Sequence, residues 1–225
     1  MDSITEYKII KSKRKNYRIL VDDSANLIIH APIWATKNEI QEVIEKHHNW
    51  IISKKNIAED KKNRFKPKSI IDGELFQFVG KNYPLKIVEG TKFALKFDKE
   101  QFNFNIYFKE YWKEIFKKWY KLNGRKILIE RVQFYSTKHG FKVKDIKISN
   151  AQKRWGSCSG DGNLNFSWRL VMAPIDVIDC VVVHELAHII FKDHSKNFWN
   201  KVESILPEYN NADIWLNKNG FLLNL

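Results

Sequence analysis

Residues 175–191, IDVIDCVVVHELAHIIF, constrain the fold more than any other stretch of the chain. Apolar side chains fill nearly every position, so a helix built from this run has no solvated face and must lie in a core. Pro174 fits the first turn, where its missing N–H costs nothing. Asp176 and Asp179 suit the positive N-terminal end. The spacing predicts a helix of about four to five turns. Into this setting the sequence places His184, Glu185 and His188, with His194 just beyond. Unpartnered polar groups in a core are costly, so these side chains need a common task.

Residues four apart on a helix differ by only about 40° in direction. His184 and His188 therefore aim at one point, as a tetrahedral zinc ion requires of its ligands. Glu185 lies beside that point and off the metal, where a general base would act on a metal-bound water. The third ligand has two candidates. His194 comes six residues after His188, an offset metzincins share, although they place Gly midway where this chain has Phe191. Glu208 comes twenty residues after His188, the thermolysin-like offset, but it follows Pro207 at the end of the helical run SKNFWNKVESILP. His194 is tethered closely to the first two ligands and is the expected third.

Upstream, YKII, YRILVDD and NLIIHAP read as strands, with turn chemistry in DDSAN at 22–26. Thr36 and Glu39 form a capping box. It opens a helix, expected over 37–59, that stripes Ile40, Val43, Ile44, His47 and Ile51. KKNRFKPKS reads as a linker. ELFQFVGKNYPLKIV, turning at Gly80-Lys81-Asn82, and KFALKFDKEQFNFNIYF, turning at Asp98-Lys99-Glu100, read as hairpins. A long helix is expected from Glu110 to Lys138, with a break near Asn123-Gly124. DIKIS is a strand, and KRWGSC and LNFSWRL form a hairpin around SGDGN. Gly160-Asp161-Gly162 lacks the alternating oxygen ligands and closing Glu of a calcium loop and reads as a turn.

Charge is unevenly spread. Residues 1–70 hold 15 Lys/Arg against 9 Asp/Glu, residues 71–150 hold 17 against 9, and residues 151–225 hold 7 against 8. The basic first two-thirds would attract nucleic acid or another anionic partner. Ordinary solvated lysines account for the same balance. No run approaches the length of a membrane span, and the N-terminal MDSITEYKIIKSKRK lacks the apolar core of a secretory signal. Cys158 and Cys180 give no disulfide framework. These features lead us to expect a cytoplasmic monomer.

RWGSCS, GNLNFSWRLVMAP and VIDCVVVHELAHIIFKDHSKNFWNKVESILPEY together resemble the YgjP-like bacterial metallopeptidase family, related to the SprT and WLM-type zinc proteases. KSKRKNYRILVD, LIIHAP, HHNWI and DGELFQFVGKNYPLKI extend the resemblance over nearly the whole chain. It implies a mini-zincin with one zinc on His184, His188 and His194, Glu185 as base, and the RWGSC strand along the active-site cleft. The expected fold class is α+β. A β-rich region with one helix (1–108) would precede a zincin-like domain (109–225) carrying an antiparallel sheet and the HExxH helix. The expected function is hydrolysis of peptide bonds in protein or peptide substrates, with Arg154, Trp155 and Ser157 as substrate contacts. Arg154, Ser157 and Tyr209 are candidate oxyanion donors. The alternatives are a basic nucleic-acid-binding protein with a structural zinc, or a DNA-stimulated protease that engages nucleic acid through residues 1–150.

Overall fold

The computed structural model describes residues 6–22 and 24–225. The chain forms two compact units, Met1–Pro67 and Lys68–Leu225. Among the described residues there are three small sheets and six α-helices, an α+β architecture. Among the described residues no helix is long and apolar enough to cross a membrane.

The first unit orders its strands β1 (Lys8–Ser12), β3 (Leu27–Pro32), β2 (Arg18–Val21), with β1 parallel and β2 antiparallel to β3. Period-two alternation puts Leu27, Ile29 and Ala31 on one face. They pack there with Ile40, Ile44 and Ile51. The turn read in DDSAN is built on Asp22, whose carboxylate accepts from the Ser24 and Asn26 N–H groups; Asp23 lies outside the described residues. The capping box is present in full at the start of α1 (Lys37–Lys46). The single helix expected over 37–59 is two helices, because His47 leaves helical geometry (φ −109°, ψ 15°) before α2 (His48–Arg64). A straight helix from 37 to 64 would run about 42 Å, about twice the length of the strands it covers. The break lets α2 pack on β2.

The second unit begins with a sheet ordered β4 (Leu75–Phe78), β5 (Lys81–Val88), β7 (Phe102–Asn105), β6 (Leu95–Phe97). Its central pair β5–β7 is parallel. The first hairpin turns at Val79-Gly80, one residue earlier than expected, with φ of 47° and 75°. Positive φ at both positions is what a tight two-residue hairpin turn requires. Its tip donates from Val79 N–H to Val171 O (2.8 Å) and from Gly80 N–H to Met172 O (3.1 Å). A Cβ on Gly80 would lie 2.8 Å from Pro174 Cα, so this turn abuts the start of the HExxH helix.

Helix α3 (Trp112–His139) runs unbroken through Gly124, contrary to the expected break. Glycine here serves close packing: a Cβ would lie 3.0 Å from Val171 Cγ1, in the 3₁₀ segment Trp168–Met172. The aromatic face of α3 covers the sheet. Phe76 stacks on Phe116 at 4.1 Å, Phe102 meets Trp119 at 4.9 Å, and the Tyr120 hydroxyl donates to Gln77 O at 2.6 Å. This shared core joins the sheet and α3 within the unit Lys68–Leu225.

The last sheet is mixed, not antiparallel as expected. Its order is β8 (Asp145–Ser149), β10 (Asn163–Ser167), β9 (Gly156–Cys158), with β10 parallel to β8 and antiparallel to β9. The β9–β10 hairpin returns the chain along β8 in the same direction, and β9 is left as an edge strand against α4 (Ile175–Ala187). Helices α5 (Lys196–Ile205) and α6 (Tyr209–Asn219) complete the packing around α4.

Asp179 does more than complement the dipole of α4. Its carboxylate takes a bidentate pair from Arg131 of α3 (Nε 2.6 Å, Nη2 2.7 Å) and a hydrogen bond from the Tyr135 hydroxyl (3.1 Å). The Asp179 side chain is 9% exposed. Arg131→Met would leave that carboxylate without its counter-charge, with Tyr135 still donating. The expected cost is about 3 kcal/mol, read as a lowered urea midpoint.

Candidate metal centre

Helix α4 is buried on nearly all sides: Val177, Ile178, Val182, Val183, Leu186 and Ala187 are inaccessible to solvent. Four Val and two Ile are mediocre helix formers, so tertiary packing holds this helix. It ends at Ala187, about a turn sooner than expected. His188 occupies the C-cap, and tight turns through Phe191 bend the chain back. The Lys192 ammonium donates to the freed carbonyl of His188 (2.9 Å) and reaches Gly160 O in the β9–β10 turn (3.5 Å). A cation at a helix C-terminus is favoured by the dipole. His194 follows, and the Asp193 carboxylate accepts from Ser195 N–H at the start of α5.

This path brings three imidazoles together. One nitrogen from each of His184, His188 and His194 falls within a 4.8 Å cluster. His184 Nε2 and His194 Nε2 are 3.1 Å apart. A zinc ion bonded to imidazole nitrogens at about 2.0–2.1 Å holds tetrahedral ligands roughly 3.3 Å apart, so the trio fits such an ion. The Nδ1 atoms are engaged elsewhere: that of His188 donates to Phe191 O at 3.0 Å, and that of His184 lies 3.2 Å from the Tyr209 hydroxyl. Burial drives the His184 pKa down to about 4, with His188 and His194 adding to the effect. The ring is therefore neutral near pH 7, the state in which a metal can be bound. Among the described residues no other group of three potential ligands forms.

Glu185 is 6% exposed. Burial pushes its pKa up to about 7, opposed by the charge of Arg154. The carboxylate lies flat on the backbone of β9: a Cβ on Gly156 would sit 2.5 Å from Oε1 and 2.6 Å from Cγ. Sequence reasoning missed this contact, because glycine in a strand signals close approach without naming the partner. It also missed Phe198, which is fully buried and touches all three imidazoles, with ring centroids 4.6–5.0 Å away. Trp199 stacks on His194 at 5.7 Å.

The remaining expected residues fall out unequally. Arg154 is exposed, and Ser157 lies on β9 opposite Asn165. Trp155 is turned to packing: the Arg169 guanidinium sits 4.6 Å above its ring, and Gly220 backs onto its edge. Glu208, the rival ligand, is exposed and accepts a hydrogen bond from Asn211. The Cys158 thiol donates to Ser159 O and stands outside the cluster.

Comparison with curated proteins finds no match. Among solved structures, the chain is similar to the metallopeptidase zymogen of Pyrococcus abyssi abylysin. The identity is 19% over 40% of this chain and 93% of that one, with a TM-score of 0.37. The description "YgjP-like, metallopeptidase domain" belongs to a family profile that matches residues 15–219. With nearly the whole chain inside that match, this protein belongs to the YgjP-like metallopeptidase family.

Proposed function

We propose that the chain is a zinc-dependent peptidase of the HExxH type, with one zinc held by His184, His188 and His194 and with Glu185 as general base. The observation that carries this reading is the convergence of three imidazole nitrogens next to a buried carboxylate that lies flat against an edge strand. Zinc held by these three imidazoles would supply Lewis-acid chemistry to the scissile carbonyl and the attacking water. Glu185 would take a proton from the attacking water and hand it to the leaving amine. Its burial favours the proton-accepting role near neutral pH, where an effective base has its pKa. The outer side of β9 has no ladder partner among the described residues and can hold an extended substrate by strand addition. Arg154 and Ser157 lie along that edge as substrate contacts.

Metal analysis paired with casein digestion tests the reading. About one zinc per chain is expected, with cleavage abolished by 1,10-phenanthroline and restored by added zinc. Full casein cleavage by metal-free protein would refute it, as would zinc-loaded protein that cleaves neither casein nor shorter peptides.

A finer test lies in Gly156. Gly156→Ala places a methyl where the Glu185 carboxylate now rests. A displacement of about 1 Å in a reacting group costs on the order of 100-fold in rate. A loss of that size in kcat with zinc content unchanged is the expected result, and wild-type kcat would show that the strand does not set the position of the base.

A further inference from the structure

The three imidazoles are held from behind in three different ways. His188 Nδ1 faces a backbone carbonyl, Phe191 O, which only accepts; this nitrogen must carry the proton and its Nε2 the lone pair. His194 is supported by stacking on Trp199. His184 faces the Tyr209 hydroxyl, which can either donate or accept. Two tautomers of His184 are thus compatible with this partner, and only one leaves Nε2 free to bind a metal.

Tyr209 is built into place. Its residue is 5% exposed, at the first position of α6. Its ring lies nearly parallel to that of His184, 18° between planes, and packs on Trp199 at 5.4 Å. Its backbone carbonyl accepts the Cys180 thiol one turn before His184 on α4. The hydroxyl lies behind the ligand, on the Nδ1 side, while His184 Nε2 points at His194 Nε2. Charge that develops on a substrate oxygen would lie on the Nε2 side. A hydroxyl in this place reaches the ligand and not the reacting atoms.

We infer that Tyr209 is a positioning residue: with a metal on Nε2 the proton of His184 must sit on Nδ1, and the Tyr209 hydroxyl accepts it and fixes the ring in its metal-binding orientation; it is not the oxyanion donor. The inference rests on the zinc-peptidase reading. Outer partners of ligand histidines typically contribute 10–100-fold to metal affinity, whereas loss of an oxyanion donor costs about 10²–10³ in kcat.

Tyr209→Phe removes only the hydroxyl and keeps the buried ring. Zinc affinity is measured on wild type and variant by competition with a chromophoric chelator, the visible spectrum is recorded after cobalt(II) substitution, and kcat is measured at saturating zinc. The expected result is zinc binding weakened about 10–100-fold, a shifted cobalt spectrum and a kcat loss below about 10-fold. Unchanged affinity with kcat down by 10²–10³ would make the hydroxyl an oxyanion donor and overturn the inference. Unchanged affinity and spectrum would reduce it to packing and overturn it equally. If wild type itself takes up no zinc, the zinc-peptidase reading fails and the inference falls with it; equal binding by wild type and variant sinks the inference alone.

Discussion

Glu185→Gln is expected to lower turnover of a casein or peptide substrate by about 10²–10⁴, the usual contribution of a general base, while about one zinc per chain stays bound. The two halves of this expectation come from different parts of the geometry. Zinc retention follows because the proposed ligands are His184, His188 and His194, whose nitrogens cluster without Glu185. The loss of rate follows because Gln cannot take a proton from water. The substitution is also close to neutral for packing. Glu185 is 6% exposed, and its side chain rests on Gly156, so an isosteric amide fills the same space. Burial already penalises the carboxylate form, which raises the pKa to about 7. Removing that charge should leave thermal stability equal to or above that of wild type. A Gln variant that cleaves at the wild-type rate would remove Glu185 from the mechanism. A variant that loses zinc would put it among the ligands.

How far the sequence alone reaches depends on the range of the interaction that decides each feature. Local chemistry was legible. The Thr36–Glu39 capping box lies within one turn and appears as read. The strands of the first unit and the edges of the β9–β10 hairpin follow period-two patterns that need no distant partner. His184, Glu185 and His188 sit on one helix, so helical geometry alone brings them together. The break at His47 was not legible, because apolar spacing continues across it from Ile44 to Ile51 and periodicity does not report one residue's dihedrals. The parallel pairs β1–β3, β5–β7 and β8–β10 join strands separated by other strands, which adjacent-hairpin reasoning cannot see. Asp179 looked like a dipole partner because its true counter-ion, Arg131, lies 48 residues away. Tyr209, 25 residues beyond His184, was weighed as an oxyanion donor for want of any cue to its bond with Nδ1. The convergence of the three histidines was thus legible and the residues packed around them were not. Candidate ligands announce themselves by residue type at short spacing, while the residues around them are ordinary aromatics and glycines identified only by where they pack.

His188→Ala is expected to abolish high-affinity zinc binding, with a loss well beyond the roughly 10–100-fold that an outer partner costs, and to abolish peptidase activity with it. His188 joins α4 to the returning chain. It sits at the helix C-cap and fixes the Phe191 carbonyl through Nδ1, so its loss removes both a ligand and a tether for the segment leading to His194. Zinc that binds only the folded state raises stability by mass action. The zinc-dependent rise in Tm seen in wild type should therefore vanish in His188→Ala. His194→Ala separates the two candidate third ligands. His194 is exposed and stacked on Trp199, so its removal should spare the fold and still cancel the zinc-dependent Tm shift. Glu208→Ala removes an exposed carboxylate whose hydrogen-bond partner is Asn211, and the full zinc shift should persist. The reverse pattern, with zinc lost in Glu208→Ala and kept in His194→Ala, would replace His194 by Glu208 in the ligand set.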